Sequence, residues 1–160
     1  MLGVKLICVG KMKERYFLDA FEEYRKRLGA YCRFGLEELP EQRLPQDPSP
    51  REIENALERE GAEILRCVPS GSAVVAMCVE GEQLSSPGLA KALEGFANSG
   101  KSRVCFIVGG SFGLSPAVKR AADLRLSMSK MTFPHHLARV MLAEQIYRAF
   151  SISSGGKYHK

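Results

Sequence analysis

The chain lacks any apolar run approaching the ~20 residues that a membrane span requires, so no membrane partner is expected. Its start, Met1 to Cys8, holds a short apolar stretch without a basic leader or cleavage-site pattern, and reads as a first β-strand rather than a signal peptide. No Cys-x-x-Cys pair occurs. The five cysteines, Cys8, Cys32, Cys67, Cys78 and Cys105, are widely spaced within apolar runs. That pattern argues against a disulfide framework and for reduced, buried thiols in a cytoplasmic protein. No metal is expected: the other soft ligands are His135, His136 and His159, and adjacent histidines on a helix point to different faces. Internal repeats and low-complexity segments are also missing. What remains is 160 residues, 45% apolar, which suits one domain, residues 1–160, with a full hydrophobic core.

Acidic residues are scarce at one end. Residues 1–100 carry 13 Lys and Arg against 16 Asp and Glu, whereas residues 101–160 carry 10 against only Asp123 and Glu144. A basic block on a folded segment is an electrostatic footprint for a polyanion, and RNA is the partner it favours.

Apolar runs alternate with helical patterns. Strands are expected at Val4–Val9, Cys32–Leu39, Ala73–Val79, Val104–Val108 and Leu124–Met128. A first helix near Arg15–Leu28 places Phe17, Ala20, Phe21, Tyr24 and Leu28 on one face. Ser49-Pro50-Arg51-Glu52 opens a second with a capping box, and its apolar face is Ile53, Ala56, Leu57, Gly61, Ile64 and Val68. Ser86-Pro87 and Ser115-Pro116 open two more by the same chemistry. The last helix, His135–Ile152, shows an apolar stripe of Leu137, Val140, Met141 and Tyr147, with Glu144 inside it and placed to pair with Arg148. Such alternation implies an α/β fold: a parallel sheet covered by helices on both faces. Ligands in these sheets bind at the carboxyl ends of strands, which directs attention to the loops after Val79, Val108 and Met128.

The sharpest local feature is the loop Gly109-Gly110-Ser111-Phe112-Gly113, between an apolar strand and a capped helix. Its glycines let backbone approach a ligand closely. It is neither a Walker A loop, lacking Gly-Lys-Ser/Thr, nor a G-x-G-x-x-G turn. It does match G-x-S-x-G, which makes a serine hydrolase using Ser111, with Asp123 and a later histidine, a competing reading. Against it, a nucleophile elbow runs straight into its helix, and Asp123 follows too closely. A second loop, Met128-Ser129-Lys130-Met131-Thr132-Phe133, has backbone groups able to read an adenine edge and apolar walls to hold the ring. The terminal Lys157-Tyr158-His159-Lys160 follows a Ser/Gly tether and gathers a stacking ring, an imidazole and cations, useful parts for handling a nucleotide.

Taken together these motifs resemble the RlmH family of SPOUT methyltransferases, which methylate a pseudouridine of ribosomal RNA. The matching segments are Val9-Gly10-Lys11, Ile107-Val-Gly-Gly110 with Gly113-Leu114, Leu126-Ser127 and Met131-Thr-Phe-Pro-His135. They continue through Arg139-Val140, Glu144-Gln-Ile-Tyr147-Arg-Ala149 and Tyr158-His159, so the resemblance spans the chain. It implies a C-terminal trefoil knot, a homodimer and S-adenosylmethionine as methyl donor, leaving as S-adenosylhomocysteine. It also implies cofactor contacts at Met77, Gly109, Gly110 and Met128–Phe133, and transfer to N3 of a pseudouridine in 23S rRNA on assembled 70S ribosomes. The expected catalytic set is His159 and Tyr158 closing on the target base, from the same chain or its partner, and Arg139 holding a phosphate or the uracil carbonyls. A transfer RNA substrate, or a non-catalytic ribosome-binding module, are the remaining alternatives.

Overall fold

The computed structural model describes residues Met1–Lys160. Five strands, β1 (Gly3–Val9), β2 (Arg33–Leu39), β3 (Ala73–Gln83), β4 (Arg103–Val108) and β5 (Leu124–Ser127), form one sheet in the order β2-β1-β4-β3-β5. Every pairing is parallel. Alternation along β1 explains the continuous apolar runs. Leu6 and Cys8 face a core shared with α1 (Arg15–Leu28), α3 (Ser86–Asn98) and α5 (His135–Ser153), while Ile7 and Val9 face one shared with α2 (Pro50–Cys67) and α4 (Pro116–Ala121). Both faces are therefore covered, as expected for an all-parallel sheet whose strands are apolar on both sides. No helix is long and apolar enough to cross a membrane. The five cysteines are unpaired, and burial pushes the Cys8 thiol up to about 12.

The helix starts follow the Ser-Pro chemistry, with one displacement. Ser49 accepts from the Glu52 amide and Glu52 accepts from the Ser49 amide, the full capping box. Ser115 caps α4 through the Val118 amide. The cap of α3 is Ser85, not Ser86: its Oγ accepts from Gly88 three residues on, and Ser86 donates to Gln145 of α5 instead. A cap must lie one residue outside the helix to reach that amide, and Ser86 is already inside.

Two other elements differ from expectation. β3 runs past Val79 to Gln83, with its register against β5 broken between Met77 and Glu82. The extra residues, Cys78 to Gly81, bulge out of the ladder. Gly81 permits the detour, because a side chain there would sit 2.8 Å from the Arg125 backbone. In α5 the buried face is Arg139, Val140, Leu142, Ala143, Ile146 and Ala149, whereas Leu137, Met141 and Tyr147 are only half-buried. The helix packs against both α1 and α3, so its buried arc is wide and has turned away from the stripe read by spacing.

Candidate functional site

The carboxyl ends of β3, β4 and β5 lie side by side, and a cavity of about 740 Å³ opens there. Its walls are the β3 bulge, the glycine loop after β4, the loop after β5 and the first turns of α5. Met77, Gly109, Gly110, Met128, Ser129, Met131, Thr132 and Phe133 all line it. Of the expected cofactor contacts only Lys130 does not; its side chain is exposed beside the loop.

Local chemistry explains why these loops hold their shape. Gly113 has φ +82° and donates its amide to the Gly110 carbonyl, closing the glycine turn. A Cβ on Gly109 would run into the Gly113 carbonyl, so only glycine lets the turn close this tightly. Gly109→Ala is expected to lower affinity for a ligand in this cavity at least tenfold while the far end of the sheet stays folded, as read by calorimetry against circular dichroism. In the second loop the Ser127 hydroxyl donates to the Ser129 carbonyl, and the Met131 amide donates to the Ser129 hydroxyl. Short serine side chains thus replace the ladder that an irregular segment lacks.

The cavity is mostly apolar and carries one ion pair, Glu80 and Lys119 at 2.5 Å, with His135 at its edge. The Lys119 ammonium holds the Glu80 carboxyl below its ordinary range. Cys78, beside them, is pushed up by burial and stays a thiol. Sequence reasoning missed Glu80 and Lys119, since a bulge and a helix bring them together from 39 residues apart.

A hydrolase is excluded by where its parts fall. Asp123 lies at the opening of β5, where its carboxylate accepts from the Val74 amide near the start of β3. Ser111 lies beyond the carboxyl end of β4, and Val74 pairs with Cys105, so about 10 Å of strand already separates the Asp123 level from Val108 before the glycine loop begins. No triad can span the sheet end to end.

The expected catalytic residues are dispersed. Arg139 is fully buried: one nitrogen reaches Glu38 at 2.6 Å, another donates to the Gly10 carbonyl at 3.0 Å, and Nε has no partner. In this position it ties α5 to the exits of β1 and β2, a structural place for a residue expected to anchor a phosphate or the uracil carbonyls. Its proximity to Glu38 across 101 residues left no signal in the sequence.

Tyr158 and His159 fold against α5 rather than over the cavity. The Tyr158 hydroxyl donates to Glu144 at 3.0 Å, its ring packs on Tyr147, and the Arg148 guanidinium lies 4.6 Å from its centre. Burial and the neighbouring Tyr24 and Glu144 push its phenol up to about 12, so it remains a donor. Arg148 also meets Glu144, as the spacing predicts, and His159 Nδ1 at 3.2 Å. Glu144 sits about 200° around the helix from cavity-lining Leu142, and the tail does not line the cavity of its own chain.

Beyond the glycine loop a second cavity, about 720 Å³, opens at the carboxyl ends of β1 and β2, lined by Gly10, Lys11, Lys13, Glu14, Glu38, Glu41, His135 and His136 among others. Contrary to the expectation of divergent faces, both imidazole Nε2 atoms lie 3.9 Å from the point a Gly10 Cβ would occupy, with the rings 4.3 Å apart. The two histidines stand on the first turn of α5, where side chains splay around the helix end onto the β1 exit.

Comparison with known proteins agrees with this geometry. Residues 2–159 match the family described as Predicted SPOUT methyltransferase. Proteins named Ribosomal RNA large subunit methyltransferase H are 43% identical in Ligilactobacillus salivarius and in Clostridioides difficile, and 45% identical in Bifidobacterium animalis subsp. lactis. Each match covers 99% of this chain and the whole of the relative. The solved structure of a probable methylase family protein from Haemophilus influenzae covers all of this chain and 72% of that one, with a TM-score of 0.56 and 13% identity, a likeness of fold. A parallel sheet with its cavity at the carboxyl edge, and relatives aligned end to end at over 40% identity, lead to one conclusion: the chain belongs to the SPOUT methyltransferase family.

Proposed function

We propose that this protein transfers a methyl group from S-adenosylmethionine to N3 of a pseudouridine in 23S rRNA of the large ribosomal subunit, on assembled ribosomes in the cytoplasm. The observation that carries the reading is the convergence of eight expected cofactor residues on one cavity, in a chain similar over its full length to large-subunit rRNA methyltransferases. The cavity fits the cofactor. Its volume lies within the roughly 300–1,000 Å³ of small-molecule sites, and its walls join apolar side chains to free backbone groups of two irregular loops. Gly109, Gly110 and Met128–Phe133 would hold the adenosine, Met77 would pack on it, and Glu80 with Lys119 match the two charges of the methionyl end. Bound there, the sulfonium supplies an already activated methyl group. The protein's part is to position the acceptor nitrogen in line, exclude water and take up the N3 proton.

The basic segment 101–160 supports rRNA as the macromolecular partner. We further propose a homodimer using the half-buried Leu137, Met141 and Tyr147 of α5, and a trefoil knot formed as the loop after β5 threads past the β4 loop. The tight passes at Gly81 and Gly109 support such threading. The residues 1–160 would then form one SPOUT domain, with Tyr158 and His159 reaching the target base from the partner subunit. Two experiments test the function. Calorimetry should give micromolar S-adenosylmethionine affinity, and labelled methyl should pass to intact ribosomes in preference to free rRNA or tRNA. Absence of cofactor binding sinks the methyltransferase reading, whereas preferential tRNA labelling leaves the chemistry and overturns the substrate.

A further inference from the structure

His135 is the one side chain that lines both cavities. It stands at the first residue of α5, between the proposed cofactor site on the β3-β4-β5 side and the second cavity on the β1-β2 side. That second cavity differs in character from the first: apart from Leu39, Pro40 and the Gly10 backbone, its walls are charged side chains and the two histidines. Its acids are already committed. Glu38 holds Arg139 and the Met12 amide, Glu14 holds His136, and Glu41 accepts from the Ser111 amide of the glycine loop. The exposed Lys11 and Lys13 are the charges left to meet a ligand, and they call for an anion such as a phosphate. The volume, about 720 Å³, admits a nucleotide.

The two histidines divide the work. His136 is fixed by Nδ1 against Glu14 at 3.3 Å, and its Nε2 is buried without a partner. No comparable carboxylate holds His135, which is half-buried at the boundary of the two cavities. We propose that the cavity at the β1 and β2 exits receives the target nucleotide, with its phosphate on Lys11 and Lys13, and that His135 accepts the N3 proton as the methyl group is transferred. This rests on the reading of the first cavity as the cofactor site and of pseudouridine N3 as the acceptor. The balance is simple. The N3–H pair becomes the nucleophile's lone pair and the N3–C bond forms. The S–C bond breaks with its electrons left on sulfur, giving neutral S-adenosylhomocysteine, and the proton ends on the imidazole, which returns it to water after product leaves.

The electrostatics suit that task. Desolvation is the largest influence on His135 and lowers its affinity for a proton, aided by His136 and Arg139 and opposed by Glu41 and Glu14. Lys11 and Lys13 across the cavity act in the lowering sense, and the Arg139-bound Glu38 in the opposite one. With its proton affinity below that of an ordinary histidine, the ring is neutral at physiological pH and able to accept. The sign follows: activity is lost as pH falls through the lowered value, so the acid limb of the kcat profile should lie below pH 6.5.

The test uses the full-length protein, with labelled S-adenosylmethionine and intact ribosomes that lack the methyl group. His135→Gln and His135→Asn should cut kcat about 100-fold or more while calorimetric cofactor affinity changes less than threefold. The rate of each variant should then rise tenfold per pH unit as the N3 proton is lost to solvent, replacing the wild-type plateau. Lys11→Ala with Lys13→Ala should raise KM for ribosomes about tenfold or more, and an unchanged KM overturns the phosphate contact. Variants that keep kcat within threefold, or lose it with the wild-type pH profile intact, overturn the proton-acceptor role. A wild-type protein that binds no S-adenosylmethionine or labels no ribosome fails the underlying reading instead, and the two failures are told apart in the same assay.

Discussion

Deletion of Lys157–Lys160 is expected to reduce methyl transfer at least about 100-fold while S-adenosylmethionine binds with near-normal affinity. The tail brings a phenol held as a donor, pushed up to about 12, and an imidazole beside Arg148, yet neither lines the cavity of its own chain. Contacts to Glu144, Tyr147 and Arg148 anchor it on the outer side of α5. From there it can serve a site in a second copy, or its own after a swing about the Gly155-Gly156 tether. Single-turnover assays on the truncated protein, paired with calorimetry, measure the first effect. Mixing separates the two routes. Truncated subunits combined with Gly109→Ala subunits regain part of the activity if the tail acts in trans, because one mixed site then has an intact cavity and an intact tail. Unchanged turnover after truncation removes the tail from the mechanism.

Replacing Arg139 by alanine is expected to lower stability by about 3 kcal/mol, a fall of roughly 6–12 °C in Tm for a domain of this size. The guanidinium is fully buried, and its partner Glu38 keeps 27% of its side chain exposed, so the low end of the range for broken buried pairs applies. The groups stranded by the substitution matter more than the attraction it removes. Glu38 would keep a charge at the edge of the core, and the Gly10 carbonyl would be without its donor. Arg139→Met combined with Glu38→Gln should recover much of the stability, since the amide still accepts from Met12 and no unpaired charge remains. A phosphate-anchoring arginine predicts the opposite pattern, weaker ribosome binding at unchanged Tm. Thermal unfolding of the single and double variants decides between them.

Much of this protein could be read from local chemistry. The Ser49 and Ser115 caps lie where Ser-Pro spacing places them, because a cap involves residues three apart and depends on nothing distant. The central strands β1 and β4 follow the apolar runs to within a residue or two, since burial on both faces needs apolar side chains at nearly every position. The glycine loop was legible for the same reason: the φ of +82° at Gly113 and the closeness of Gly109 to the Gly113 carbonyl are demands that glycine meets and other residues do not. So were the loop after β5 as a cavity wall and the Glu144–Arg148 pair, which is one helical turn long.

The arrangement around those parts was decided elsewhere. Strand order β2-β1-β4-β3-β5 gathers three loops into one cavity and sets a second beside it, and parallel pairing alone does not choose that order. The β3 bulge that carries Glu80 to Lys119 arises from the register with β5. Arg139 sits in the core because Glu38 and Gly10, more than 100 residues earlier in the chain, are there to receive it. The face of α5 turned inward is set by α1 and α3 together, which is why the stripe read by periodicity is only partly buried, at Val140. Sequence by itself determined the elements, most of their caps and the two loops that came to line the cavity, since each depends on the conformational limits of a few neighbouring residues. Only the tertiary structure decided which charged groups are free and which are consumed in holding the site, because charge pairing follows distance in space.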